Sequence, residues 1–348
     1  MVIEGVAEVI APTEKVRRPR ALLPEVHLHE RGARYKALIA ATRDLAPVRT
    51  AVVHPCDALS LSGALAAARQ GLIIPVLVGP RARIEAAAAE AGCDLGDSEI
   101  VDCPHSHAAA EMAVTLARQA KVEALMKGKL HTDELMAAVV DRTSGLRTER
   151  RISHIYGLDV PHYPKPLFIT DAAINIYPNL DDKRDIVQNA IDLAQALGIA
   201  RPKVALLSAV ETVSPKIAST LDAAALCKMA DRGQISGGVV DGPLAFDNAI
   251  SPTAAATKGL VSPVAGDADI LVAPDLEAGN MMAKQLIYLA GAEAAGIVLG
   301  ARVPIMLTSR ADDQLSRLAS AALAQLFVRR SAAPDEDRQA DEALLSTA

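Results

Sequence analysis

Two stretches of this chain gather groups suited to anion chemistry. Met126-Lys127-Gly128-Lys129-Leu130-His131-Thr132 follows the apolar run 122–126 and precedes a helical pattern. Read as a strand-to-helix turn, it aims cationic side chains and free backbone N–H groups at one point, which suits an anion. Ile305-Met306-Leu307-Thr308-Ser309-Arg310-Ala311-Asp312-Asp313 repeats the arrangement, with hydroxyl, guanidinium and carboxylate groups at the end of a second apolar run. Two such strand ends facing one cleft would make an active site.

Ligands of open parallel sheets bind beyond the carboxyl ends of the strands. The residues that follow the other apolar runs are polar too: Asp171, Ser208 with Glu211, Asp241-Gly242, and Glu277 with Gly279-Asn280. Loops are polar in any protein, so each is unremarkable alone and only their coincidence is a signal. Ser309 to Asp313 also fits a helix-capping pattern, but a cap leaves Arg310 unexplained, because a cation at a helix amino end opposes the dipole unless an anion is bound there.

Other chemistries are disfavoured. The 127–132 stretch lacks the spacing of a nucleotide P-loop, and Gly237-Gly238 and Gly279 are too sparse for a dinucleotide fingerprint. Cys103-Pro104-His105-Ser106-His107 is one short cluster that opens a helix, so it reads as a cap and no metal is expected. His131 and His154 flank the cationic stretch within reach of a ligand, and Arg147, Arg150 and Arg151 form a basic loop. No Gly-x-Ser-x-Gly elbow is present to support a hydrolase triad.

The elements that must position these groups follow a simple rhythm. Short Val/Ile/Leu runs at 50–53, 74–78, 100–102, 122–126, 167–170, 204–207, 238–240, 270–272, 296–299 and 305–307 alternate with Ala-rich helical segments, the pattern of a parallel sheet. A length of 348 residues with 51% hydrophobic content is enough for two cores. Between residues 145 and 165 Arg, His, Tyr and Pro replace the Ala-rich pattern, which places a domain crossing near residue 150, with a return near 300. The expected organisation is an extension at 1–24, one domain at 25–150 plus 300–330, a second at 151–299, and a disordered acidic tail at 331–348. A net charge of -6 argues against nucleic acid, and the absence of Trp with 2% aromatics argues against base stacking. No apolar run is long enough for a membrane span, and the unpaired spacing of the four cysteines suits a reducing cytoplasm.

Over roughly residues 30 to 330 the chain resembles the phosphate acetyl/butyryltransferase family. The resemblance rests on Met126-Lys127-Gly128, Gly145-Leu146-Arg147-Thr148 with Ser153-His154, residues 169–175, residues 207–211, Asp241-Gly242-Pro243-Leu244, residues 266–269, Glu277-Ala278-Gly279-Asn280 and residues 307–312. It implies an α/β fold of two three-layer α/β/α domains with mainly parallel sheets around a cleft, like isocitrate and isopropylmalate dehydrogenases. The implied activity converts acyl-CoA and inorganic phosphate to acyl phosphate and CoA by direct thiol attack, with no covalent enzyme intermediate. It implies no cofactor, CoA being a substrate, and a homodimer. Ser309, Arg310 and either Asp312 or Asp313 fall at the family's catalytic positions. Lys127, Gly128, Lys129, His131, Thr132, Arg147, Arg151, Asp171, Glu211, Asp241, Gly242, Glu277, Gly279 and Asn280 fall to substrate binding. Many relatives carry an Arg on the helix where this chain reads Glu134-Leu135-Met136, which shifts the CoA phosphates to Lys129, Arg147 or Arg151. Residues 8–12 and Lys15 resemble the closing strand of a hot-dog enoyl-CoA hydratase domain of the kind fused ahead of some members, so the first segment reads as an orphaned extension. Acetyl is favoured over butyryl by a small margin. The alternatives are a non-catalytic acyl-CoA or acyl-phosphate sensor, and an NAD-dependent decarboxylating dehydrogenase on the related fold.

Overall fold

The computed structural model describes residues 32–307 and 313–331. The extension at 1–24, Ser309, Arg310, Asp312 and the tail beyond Ser331 lie outside these residues. The strands are β1 (Val48–Val53), β2 (Ile73–Gly79), β3 (Glu99–Asp102), β4 (Ala124–Lys127), β5 (Ser153–Asp159), β6 (Leu167–Thr170), β7 (Lys203–Leu207), β8 (Val239–Leu244), β9 (Ile270–Val272), β10 (Glu293–Leu299) and β11 (Ile305–Met306). The helices are α1 (Ala33–Ala40), α2 (Ala58–Arg69), α3 (Arg81–Ala91), α4 (Ser106–Arg118), α5 (Thr132–Val140), α6 (Leu180–Ala196), α7 (Ala218–Asp231), α8 (Phe246–Ile250), α9 (Pro252–Thr257), α10 (Leu276–Leu289) and α11 (Gln314–Ser331).

Local sequence accounts for where several helices begin. Asp57 caps α2 through Ser60 N–H, and Asn179 with Asp182 forms a reciprocal capping box at α6. His105 Nδ1 accepts from Ala108 N–H and caps α4, which is the role of the Cys103–His107 cluster.

All eleven strands join one sheet in the order β3-β2-β1-β4-β11-β10-β5-β6-β9-β7-β8. The α/β class and the mainly parallel sheet expected from the sequence are present, with one addition at the centre. β10 runs antiparallel to both β11 and β5, and β5 runs antiparallel to β6. The parallel set β3-β2-β1-β4-β11 therefore points opposite to the parallel set β6-β9-β7-β8. Residues 153–159, inside the stretch read as a crossing, form β5 at the middle of the sheet.

Strand alternation sorts the core. On one face Met126, Met306, Ile297, Ile155 and Phe168 belong to a continuous apolar cluster that spans both parallel sets beneath α2, α6 and α11. On the other face there are two separate clusters, one around Leu125, Ile305, Leu307 and Val298, the other around Ile169, Leu158, Ala294 and Leu271. Between these clusters the sheet presents Gly296, His154 and Tyr156.

Candidate active site

β4 and β11 are adjacent and parallel, with Met126 opposite Met306. Their carboxyl ends leave the sheet side by side, so Lys127 and the chain after Leu307 start from the same edge. β1 ends there too, with Val53 opposite Lys127. A Cβ on Gly128 would lie 2.5 Å from the Val53 carbonyl oxygen, so only glycine permits this approach. Alternation puts the Lys127 side chain on the face of Leu125, where it is 7% exposed.

The turn differs from its reading as a nest of free N–H groups. Gly128 N–H donates to Val53 O at 2.9 Å and Lys129 N–H to His54 O at 2.8 Å, which extends the β1 pairing past the strand end. The unspent donors move to the first turn of α5, where His131 makes no side-chain cap and Asp133 and Glu134 occupy the opening positions. One buried oxygen of Glu134, Oε2, has no hydrogen-bond partner. His54, which the sequence reading passed over, donates from Nδ1 to the Lys129 carbonyl at 2.6 Å and thereby ties down that side of the turn. Burial lowers its pKa.

A groove of about 970 Å³ runs along α5 from Thr132 to Val140. Its apolar wall is Met136, Ala137 and Val140, joined by Ile152 and Ile174, and its polar wall carries Arg147, Arg151 and Asn175 together with the carboxylates of Asp133, Glu149, Asp181, Asp182 and Asp185. Arg151 Nε donates to Asn175 Oδ1 at 2.6 Å and lies 3.4 Å from Asp182 Oδ1. Arg147 is exposed, with no ion pair among the described residues. The groove therefore offers one unspent guanidinium beside an apolar shelf, which suits an elongated ligand with apolar and anionic parts.

The remaining expected residues fall into other groups. Asp171 is buried, and its carboxylate accepts from the N–H groups of Ala173, Ile174 and Asn175 and from Asn175 Nδ2, so it shapes the turn that carries Ile174 and Asn175 to the groove. Burial raises its pKa, and those donors oppose the shift. A Cβ on Gly279 would meet the Asp171 carbonyl at 2.2 Å, and Asn280 Nδ2 donates to Ala172 O at 3.0 Å, so both buttress the same turn. Glu277 is exposed in the first turn of α10. Glu211 pairs with Lys258 at 2.6 Å and accepts from Asn248, while Asp241 accepts from Ser262 and from Gly242 N–H. Glu211 follows β7, whereas Asp241 and Gly242 lie within β8 and not after a strand as the sequence suggested. Five strand spacings, about 24 Å, separate β7 from β11.

Asp313 is the one expected catalytic carboxylate within the described residues. Its Oδ1 accepts from Ser316 N–H at 2.8 Å, capping α11.

Known proteins resemble this chain in sequence and fold. The model of the family described as phosphate acetyl/butaryl transferase matches residues 105–325. The chain belongs to the phosphate acetyl/butyryltransferase family. It is an acyltransferase of that family, as the resemblance implied. Phosphate acetyltransferase of Rhizobium meliloti is 63% identical over 298 residues, covering 86% of this chain and 94% of that protein. Phosphate butyryltransferase of Clostridium acetobutylicum is 43% identical over 278 residues, covering 80% and 92%. The crystal structure of a branched-chain phosphotransacylase from Enterococcus faecalis V583 superposes with a TM-score of 0.70 at 30% identity, covering 80% of this chain and 99% of that one. Members that differ in acyl group thus match this transferase along most of its length.

Proposed function

We propose that the enzyme transfers an acetyl group directly between CoA and inorganic phosphate at the edge where β4 and β11 end. The observation that carries this reading is the register of Met126 with Met306, which sets Lys127 beside the exit of the chain toward Ser309 and Arg310. CoA lies along the α5 groove, its pantetheine arm against Met136, Ala137 and Val140, and its phosphates toward Lys129, Arg147 and Arg151.

In the direction of acetyl-CoA synthesis the thiol loses its proton to a carboxylate and attacks the acyl carbonyl. The carbon–oxygen bond to phosphate breaks, and inorganic phosphate leaves. A thiol with a pKa near ~8.5 gains roughly 10² to 10⁴ from such a base. Asp312 is the better candidate, because Asp313 already spends an oxygen on the α11 cap. Arg310 holds the phosphoryl group by a bidentate contact, and the Ser309 hydroxyl takes the developing oxyanion. Lys127 adds positive charge from the floor. The chemistry uses no cofactor and no metal, since proton transfer and charge stabilisation suffice.

The preference for acetyl draws on the phosphate acetyltransferases at 58 to 63% identity. A methylene more or less changes binding by only about 1 to 3 kcal/mol, so butyryl is a slower substrate and not an excluded one. The test is an acyl-chain series assayed for CoA release as phosphate is varied. Acetyl-CoA should give the highest kcat/KM, and binding without release of CoA from any thioester would leave a sensor instead.

We further propose a cytoplasmic homodimer. The cysteines are free thiols, and exposed Met281, Tyr288 and Leu289 on α10, next to Ile176 and Tyr177, offer an apolar face to a second copy. Tyr288→Glu should yield monomers in sedimentation if this face is the contact. We also propose domains at 25–150 plus 300–330 and at 151–299, with the two apolar clusters of one sheet face falling mainly on either side of that division and the cluster of the other face continuous across it.

A further inference from the structure

His154 has no task in the scheme above, yet its burial is costly. It is 1% exposed, and its Nδ1 has no hydrogen-bond partner. A buried polar atom without a partner is destabilising, and native structures hold few of them. A phenylalanine of similar shape would fill this space without that penalty.

The surroundings give the imidazole a direction. His154 pairs with Val298 across β5 and β10, and its ring stands edge-on to Tyr156 with centroids 4.4 Å apart. Gly296 leaves the space beside it open. A Cβ at Gly296 would lie 3.0 Å from His154 Nε2 and 2.5 Å from the Leu307 carbonyl oxygen, so both atoms border the space that the absent methyl group leaves. Gly296 N–H donates to Ser320 Oγ on α11 at 3.1 Å. Among the described residues no hydrogen bond reaches the Leu307 carbonyl. A ring nitrogen that can donate thus stands across an empty Cβ position from an unspent acceptor, at the point where the chain leaves β11. Desolvation by burial holds the imidazole neutral, with a pKa lowered to about 3, so one nitrogen carries a proton throughout the neutral range.

We propose that His154 is a positioning residue for acyl transfer, whose Nε2–H, across the open Gly296 position from the Leu307 carbonyl, donates to it during turnover and fixes the direction in which the chain leaves β11. The inference rests on the reading of that edge as the transfer site. It differs from that reading in assigning part of the rate to a side chain that contacts neither substrate. Gly296 belongs to the same device, as the residue whose missing side chain keeps the path open.

The test compares His154→Phe, His154→Gln and His154→Asn with the unmodified full chain. Thermal midpoints and initial rates of CoA release from acetyl-CoA and phosphate are measured for each. His154→Phe should melt at the same temperature or higher, because it removes an unsatisfied polar group, while kcat falls by about tenfold or more and both KM values stay within about threefold. His154→Gln, whose amide N–H reaches the Nε2 position, should recover most of the loss, and His154→Asn, which reaches only the Nδ1 position, should not. A folded His154→Phe with kcat within about threefold of the parent overturns the proposal. If the Phe variant fails to fold, the Gln and Asn pair decides: equal activities, or activity in Asn alone, also overturn it. No phosphate-dependent release by the unmodified chain would instead refute the transferase reading, and the assignment of His154 would fall with it.

Discussion

Gly128→Ala puts the geometry of the transfer edge to a quantitative test. The added carbon would lie 2.5 Å from Val53 O, 2.7 Å from His54 O and 2.9 Å from the His54 carbonyl carbon, and all three are backbone atoms. Carbon and carbonyl oxygen rest no closer than about 3.3 Å, so the end of β4 must retreat from β1 by ~0.8 Å. The retreat strains or breaks the hydrogen bonds from Gly128 to Val53 O and from Lys129 to His54 O. Overpacking costs roughly 1 to 3 kcal/mol and each of the two bonds adds about 0.5 to 1.5, so the variant should lose ~2 to 6 kcal/mol of stability. The same shift moves Lys127 and Lys129 by nearly an ångström, a displacement that can lower turnover by about a hundredfold. Thermal melts and the rate of CoA release at saturating acetyl-CoA and phosphate measure both effects. A variant that melts with the parent and turns over within about threefold of it would refute the close approach of β1 and β4.

The two aspartates should separate. Asp313→Ala should lower the melting midpoint by roughly 2 to 4 °C through the lost α11 cap while retaining most activity, and Asp312→Asn should lower kcat by ~10² or more with an unchanged midpoint. Arg147→Ala should raise the KM for CoA severalfold while leaving that for phosphate unchanged, as steady-state titrations would read. Glu123 accepts from Arg329 and from Arg49 N–H, and the Arg329 hydrogen bond lowers its pKa in the folded chain. A lowered folded pKa adds stability above the unfolded value of 4.5 that is lost as pH falls through the folded one. Glu123→Gln should therefore cost about 0.5 to 1 kcal/mol at pH 7, the solvent-screened value for a partly exposed pair, and progressively less as the pH falls below 4.5 in denaturant titrations.

The sequence disclosed much of this molecule because most of its strands carry short apolar runs and several of its helices are Ala-rich. β5 was hidden for a physical reason: Ser153-His154-Ile155-Tyr156-Gly157-Leu158-Asp159 carries His154 and Tyr156 on one face and Ser153 and Asp159 at its ends, so a central strand reads as a polar connection. The reversal of direction at β10 was illegible too, since strand polarity depends on partners far apart in the chain. Lys127 and Arg147 were visible as isolated cations in polar turns. The use of the 128 and 129 N–H groups by β1, the bond from His54 to Lys129, and the space left by Gly296 depend on backbones meeting across the sheet, which spacing alone does not reveal.

Direct transfer between thiol and phosphate is the centre of this account, and steady-state kinetics with both substrates varied tests it most directly. If CoA and acetyl phosphate occupy the edge of β4 and β11 together, double-reciprocal plots of rate against one substrate at fixed levels of the other will intersect. Parallel lines, the signature of an acyl group parked on the enzyme between two half-reactions, would contradict it.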